Sequence, residues 1–321
     1  MTHAEIPHRS GFACLVGRPN VGKSTLTNAL VGEKVAIMSA RPQTTRHTIR
    51  GIVHRDDAQL VLVDTPGLHR PRTLLGERLN TLVQDTLSEV DVVAFCLPAD
   101  QKIGPGDKYI ASKLAPLMQG RRPVPVVAVV TKSDLVDRGR LAEHLVAVDR
   151  LATSMDLDWS AIVPVSAKGG FQVDELTDVL AAHLPEGPDL YPGGELTDEP
   201  EETMIAELVR EAALEGVRDE LPHSLAVSVE EIVPREGAGH DGDGEVPAVA
   251  PLLDVRVTLF VERESQKGII IGRGGSRLRE VGTTAREGIE KLLGTRIYLD
   301  LHVKVAKDWQ RDPKQLQRLG F

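Results

Sequence analysis

Cysteine and aromatic residues are scarce in this chain of 321 residues, which holds two Cys, two Trp, three Tyr and five Phe. Two cysteines exclude a disulfide framework, and because Cys14 and Cys96 each fall in an apolar, strand-like run they read as reduced core thiols. An aromatic share of 3% leaves little material for a surface that stacks bases. No stretch approaches the roughly 20 apolar residues of a membrane-spanning helix, and MTHAEIPHRS lacks the apolar core of a signal peptide, so a cytoplasmic protein is expected. Net positive charge is also missing: the balance is −9, which argues against indiscriminate binding to nucleic acid or anionic membrane.

The average hides an asymmetry. Residues 186–245 carry 18 Asp or Glu against 3 Arg or Lys, whereas residues 265–321 carry 12 Arg or Lys against 6 acids. The acidic stretch reads as a solvated helix face plus linker, and the tail as a basic module. With 41% hydrophobic and 26% charged residues, the chain suits a soluble globular protein of two domains.

FACLVGRPNVGKSTLTNALVG begins as a short buried strand, turns through glycines, and continues with helical spacing at Leu26, Leu30 and Val31. Within it, Gly17, Arg18, Pro19, Asn20, Val21, Gly22, Lys23 and Ser24 match G-x-x-x-x-G-K-[ST], with Thr25 following. Glycines let the backbone approach phosphates, amides at the helix N-terminus point at the anion, Lys23 reaches the β- and γ-phosphates, and Ser24 supplies a hydroxyl for Mg²⁺. Downstream, QLVLVDTPG is an apolar strand ending in Asp64, Thr65, Pro66 and Gly67. There a carboxylate serves the Mg²⁺ shell and a glycine N–H senses the γ-phosphate.

VPVVAVVTKSD is another buried strand, closed by Thr131, Lys132, Ser133 and Asp134. An ionised Asp134 accepts from guanine N1–H and N2, donors that adenine lacks, so GTP and GDP are expected and ATP is rejected. Thr131 stands where the N-K-x-D pattern has Asn, and weaker nucleotide binding with unchanged base choice is expected. AIVPVSAKGG brings Ser166, Ala167 and Lys168, a loop suited to donating a backbone N–H to guanine O6. Between helix and D-x-x-G strand, SARPQTTRHTIRG offers Thr45, with Thr44 as its neighbour, to Mg²⁺ and the γ-phosphate.

Leu68 follows Gly67 where many such switches place a water-orienting glutamine. The charge that develops on the phosphates must then be stabilised from elsewhere, by a partner or an inorganic cation. Asn20 offers a side-chain oxygen for a potassium ion. The other reading of Asn20 is a turn residue tolerated for its backbone.

After AAHLPEGPDLYPGGELTDEPEE the pattern becomes a helix, two strands, a short helix, the turn Gly272-Arg273-Gly274-Gly275, a longer helix and a closing strand. This is the order of a KH domain of the bacterial type. The turn lets backbone press against about four nucleotides, and Ile269, Ile270 and Ile271 are expected to form the opposing wall. Arg273, Arg277, Arg279, Lys304 and Lys307 supply the positive charge.

GRPNVGKST, PQTTRH, DTPGLHRP with LGERLN, TKSD, SAKGG, DELPHSLAVSVEE and IIIGRGG together resemble the Era family of GTPases over essentially the whole chain. The resemblance implies an α/β, Ras-like P-loop GTPase domain over 8–186, with a mostly parallel sheet and helices on both faces. A linker over 187–201 and an α+β type II KH domain over 202–321 follow. It further implies GTP hydrolysis with Mg²⁺, binding near the 3′ end of 16S ribosomal RNA, assistance to small-subunit maturation, a monomer, and a peripheral fraction at the inner membrane face. Thr131 and a Gly-rich acidic insert near 235–250 depart from the family pattern.

Overall fold

The computed structural model describes residues 7–38, 48–68, 71, 73–120, 122–215, 224–235 and 252–319. Thr45, Thr44 and nearly all of the 235–250 insert lie outside the described residues. The chain divides into two compact units whose main break falls between Asp198 and Glu199. Among the described residues no helix is long and apolar enough to cross a membrane.

In the first unit six strands lie in the order β2-β3-β1-β4-β5-β6. They are β1 (Arg9–Val16), β2 (Ile49–His54), β3 (Ala58–Asp64), β4 (Val92–Pro98), β5 (Val126–Thr131) and β6 (Ala161–Pro164). β2 runs antiparallel to β3 and the other pairings are parallel. Between them come α1 (Lys23–Val31), α2 (Leu74–Leu87), α3 (Pro105–Met118) and α4 (Arg138–Ser154), and α5 (Val173–Ala181) follows β6. Strand residues alternate between two cores: Cys14, Phe95 and Ala128 belong to one, Ala13, Cys96 and Val127 to the other. Both faces are covered, which explains why the strands read as unbroken apolar runs. Burial pushes the Cys96 thiol up to about 12 and raises Cys14 as well, so both stay protonated in the core.

β1 is flanked by β3 and β4, so the chain leaves it in two directions and opens a crevice at the carboxyl ends of the strands. The phosphate loop follows β1, Asp64 ends β3, Thr131 ends β5, and Ser166 lies just beyond β6.

The stretch expected to be a linker folds back onto this sheet. Gln59, fully buried, accepts from Leu190 N (2.7 Å) and Tyr191 N (3.0 Å) and donates to Tyr191 O (2.9 Å). Ile52 N donates to Leu196 O at 2.8 Å, and Asp198 accepts from Arg50 (2.9 Å) and Tyr191 Oη (2.6 Å). Edge strand β2 is thereby partly covered.

The second unit runs α6 (Glu201–Leu214), β7 (Ala226–Pro234), β8 (Leu253–Val261), α7 (Glu264–Ile271), a turn at Arg273–Gly275, α8 (Ser276–Leu293), β9 (Ile297–Val305) and α9 (Pro313–Arg318). The sheet order is β7-β8-β9, with β7 antiparallel and β9 parallel to β8. Val255, Val257, Leu259 and Val261 form its core with Ile270, Val281, Ala285 and Ile289 of the helices. This is the α+β arrangement anticipated for a type II KH domain.

Candidate nucleotide site and nucleic-acid groove

α1 starts at Lys23 behind Gly22, whose φ of 101° is left-handed, and its first turn holds no acid. A helix start with no side chain to cap it and no acid suits an anion. Gly17 is required by packing, since a Cβ there would lie 2.8 Å from Val21 Cγ2 and 2.9 Å from Cys96 O. Lys23 is buried, and its Nζ donates to Gly17 O and Arg18 O at 3.3 Å each. Burial lowers its pKa, opposed by the negative charge of the fully buried Asp64. An ammonium desolvated in this way gains from an anion, as a phosphate would provide. The donor set fits a Mg²⁺–phosphate group: a buried carboxylate ends β3 close enough to act on the lysine that starts α1, where Ser24 adds a hydroxyl.

The D-x-x-G segment is seated against this loop. Thr65 Oγ1 donates to Leu15 O (2.8 Å) and Leu68 N to Gly17 O (3.3 Å). At Gly67 a Cβ would stand 2.7 Å from Pro19 N and 2.9 Å from Pro19 Cα, so only glycine permits this backbone approach. Leu68 is buried among Cys14, Val16 and Val63, turned into the core.

Asn20 has φ 64°, the left-handed conformation in which Asn is favoured, which agrees with a turn role for its backbone. Arg18 points away from the loop interior: its Nε donates to Asp107 Oδ1 at 2.7 Å, which leaves its backbone to serve phosphate.

The base-reading loops meet each other. Lys132 has φ 57°, and after it Asp134 Oδ1 accepts from Ser166 Oγ at 2.6 Å. Ser166 Oγ in turn accepts from Gly169 N (2.9 Å), and Ser166 and Phe171 exchange backbone bonds of 3.0 and 3.1 Å. These bonds hold Asp134 on the loop that also carries Ala167 and Lys168. Thr131 nonetheless braces the phosphate loop. Its Oγ1 donates to Val21 O at 2.5 Å, joining the guanine strand to the phosphate loop through a hydroxyl instead of an amide.

In the second unit Gly272 (φ 72°), Gly274 (φ 57°) and Gly275 (φ 78°) make the turn between α7 and α8. At Gly272 a Cβ would meet Arg277 Cβ at 2.7 Å. A groove of about 350 Å³ opens beside it between α8 and β9, lined by Gly275, Arg279, Thr283, Arg286, Tyr298 and Leu301. The spacing of Arg279, Thr283 and Arg286, i, i+4 and i+7 on one helix face, was the available signal for the last two.

Several expected RNA contacts are placed otherwise. Ile270 is buried in the core, Ile269 is exposed, and Ile271 is half-buried. Arg277 is held by Glu280 Oε2 (2.7 Å) and by the carbonyl of Glu215, making it a brace of the turn. Lys304 pairs in register with Phe260, alternating with the core-facing Leu259 and Val303 rows, so it lies on the sheet face opposite the helices. Lys307 is exposed beyond β9, its carbonyl accepting from Gln315 at 3.4 Å. Arg273 and Arg279 are exposed at the turn and in the groove.

Comparison with known proteins agrees with this geometry. Residues 12–132 match a family model described as 50S ribosome-binding GTPase, and residues 220–310 match the KH domain model. The chain is 66% identical over 318 residues to GTPase Era of Streptomyces coelicolor, covering 99% of this chain and 96% of that protein. It is also 66% identical over 316 residues to GTPase Era of Mycobacterium avium, covering 98% and 99%. A crystal structure of an Aquifex aeolicus Era variant bound to GDP and AlF₄⁻ superposes with a TM-score of 0.87 at 34% identity, covering 97% of this chain and 99% of that one. A structure of Era with MgGDPNP and nucleotides 1506–1542 of 16S ribosomal RNA does so with a TM-score of 0.86 at 35% identity, covering 98% and 99%.

Proposed function

Because the chain belongs to the Era family of GTPases, we propose that it couples its GTP hydrolysis to binding 16S ribosomal RNA near the 3′ end during maturation of the small (30S) ribosomal subunit. The chain is a Mg²⁺-dependent GTPase that converts GTP to GDP. One observation carries the coupling: a phosphate loop braced by the guanine-reading strand shares a chain with a basic KH groove.

In this reading Lys23 and the amides of Gly17–Ser24 hold phosphate, Asp134 reads guanine, and Gly67 reports the γ-phosphate. Ser24, Thr45 and Asp64 serve Mg²⁺, which when bound neutralises charge on the phosphate oxygens. Asn20 lends its oxygen to a potassium ion, a role tested by comparing turnover in potassium and sodium buffers; equal rates remove it. Gly272–Gly275, Arg273, Arg279 and Arg286 meet the RNA backbone. The protein works as a monomer in the cytoplasm, with a peripheral membrane fraction.

The decisive measurement is binding of a 16S 3′-end fragment with a GTP analogue, with GDP and without nucleotide. Tightest binding in the GTP-analogue state, steeply weakened by added salt, is expected. Equal affinity for an unrelated RNA, together with GTP-dependent sedimentation on anionic vesicles, would replace this reading with a switch that docks on membrane.

A further inference from the structure

The connection between β4 and α3 belongs to none of the nucleotide motifs, yet it touches two of them. At its start Ala99 N donates to Thr131 O at 2.8 Å, and Asp100 lies 3.8 Å from Lys132 Nζ, which ties it to the base-reading loop. Together with the first turn of α3 it grips the phosphate loop. Arg18 donates from Nε to Asp107 Oδ1 at 2.7 Å and from Nη2 to Gln101 Oε1 at 3.2 Å.

Asp107 is fully buried, and its second oxygen accepts from Gly104 N at 2.8 Å where α3 begins. Gly106 leaves room for the arginine stem, since a Cβ there would lie 2.5 Å from Arg18 Cδ. A charge-assisted bond to a carboxylate that is itself held by the helix start has one geometry, so the arginine cannot shift without stranding a buried charge.

Two anchors thus flank one turn. Arg18 is held by α3 on one side of Pro19 and Asn20, and the Val21 carbonyl is held by the Thr131 hydroxyl on the other. We propose that Asp107, aided by Gln101, is a positioning residue for GTP hydrolysis: through Arg18 it sets the Pro19–Asn20 turn against the reacting phosphates. The inference rests on Asn20 belonging to the phosphate cradle. A displacement of about 1 Å at a reacting centre lowers a rate by up to roughly a hundredfold. Guanine affinity, carried by Asp134 and the loop amides, is far less sensitive to that turn.

The test uses the full chain and three variants, Arg18→Met, Asp107→Asn and the two combined, each measured for single-turnover GTP hydrolysis, GDP affinity and melting temperature. Hydrolysis is expected to fall by roughly tenfold or more in both single variants and to stay low in the double, with GDP affinity within about threefold of the parent. Arg18→Lys, which keeps the charge and loses the fork, should fall between parent and Arg18→Met. If the pair were only structural, removing both charges together would restore rate along with melting temperature, and that result overturns the proposal. Asn20→Ala separates the two readings. A parent-like rate there overturns the cradle and this inference with it, whereas a slow Asn20→Ala beside a parent-like Arg18→Met overturns this inference alone.

Discussion

Gly67 in the first unit and Gly274 in the second both belong to loops proposed above as ligand contacts, but a methyl group would trouble them in different ways. At Gly67 it would run into the backbone of Pro19 at 2.7 Å, with no torsional cost since φ there is not left-handed. At Gly274 it would meet nothing within 4 Å, and only a φ of 57° stands against it. The loop after β3 is therefore packed closely on the phosphate loop. The turn at Gly274 is open and needs glycine there for backbone conformation alone.

The sharpest way to break this contrast is Asp134→Asn. The variant leaves guanine donors facing a donor amide and should lower GTP affinity by about a thousandfold or more, while RNA affinity measured without nucleotide stays at the parental value. A parallel loss of RNA binding would show that the units are not separable ligands' sites. Next is Gly67→Ala, expected to slow hydrolysis by roughly a hundredfold in single-turnover assays through displacement of the phosphate loop. Its counterpart Gly274→Ala carries a left-handed penalty of about 1–2 kcal/mol and should weaken binding of the 16S fragment by around tenfold. If the two glycines exchanged their magnitudes, the contrast between closed and open loops would be wrong.

Thr131→Val removes one buried hydroxyl bond, a change of about 1 kcal/mol, and calorimetry should find GTP binding weakened by roughly fivefold with base preference intact. The smallest effect is expected at Lys304→Ala, within about twofold in RNA affinity, because its side chain is on the sheet face away from the groove. Arg286→Ala should cost several-fold more in the same titration, with a shallower salt dependence.

Much of the nucleotide site could be read directly because its chemistry is contiguous. Gly17–Ser24, Asp64–Gly67, Thr131–Asp134 and Ser166–Lys168 are each a strand end and the loop after it, so periodicity, glycines and a charged residue announce them together. The KH order was legible for the same reason. The residues that carry no such local signal lie between these segments. Asp107 and Gln101 look like ordinary residues of a loop and a helix start, and Gln59 is one polar residue in an apolar strand, yet each is buried or bonded to residues far along the chain. The stretch 187–198 has the composition of a linker, and nothing in that composition reveals its bonds to β2.

From residues alone, the chain was committed to phosphate and guanine recognition at strand ends and to a basic helix–turn–helix against a sheet, because those capacities depend on neighbours in sequence. Which way Arg18 points, what the Thr131 hydroxyl holds, and which side of the second sheet receives Lys304 were decided in three dimensions. The bond from Thr131 to Val21 joins residues 110 positions apart, and such pairings follow from strand order and register, where a slip of a single residue turns every side chain to the other face.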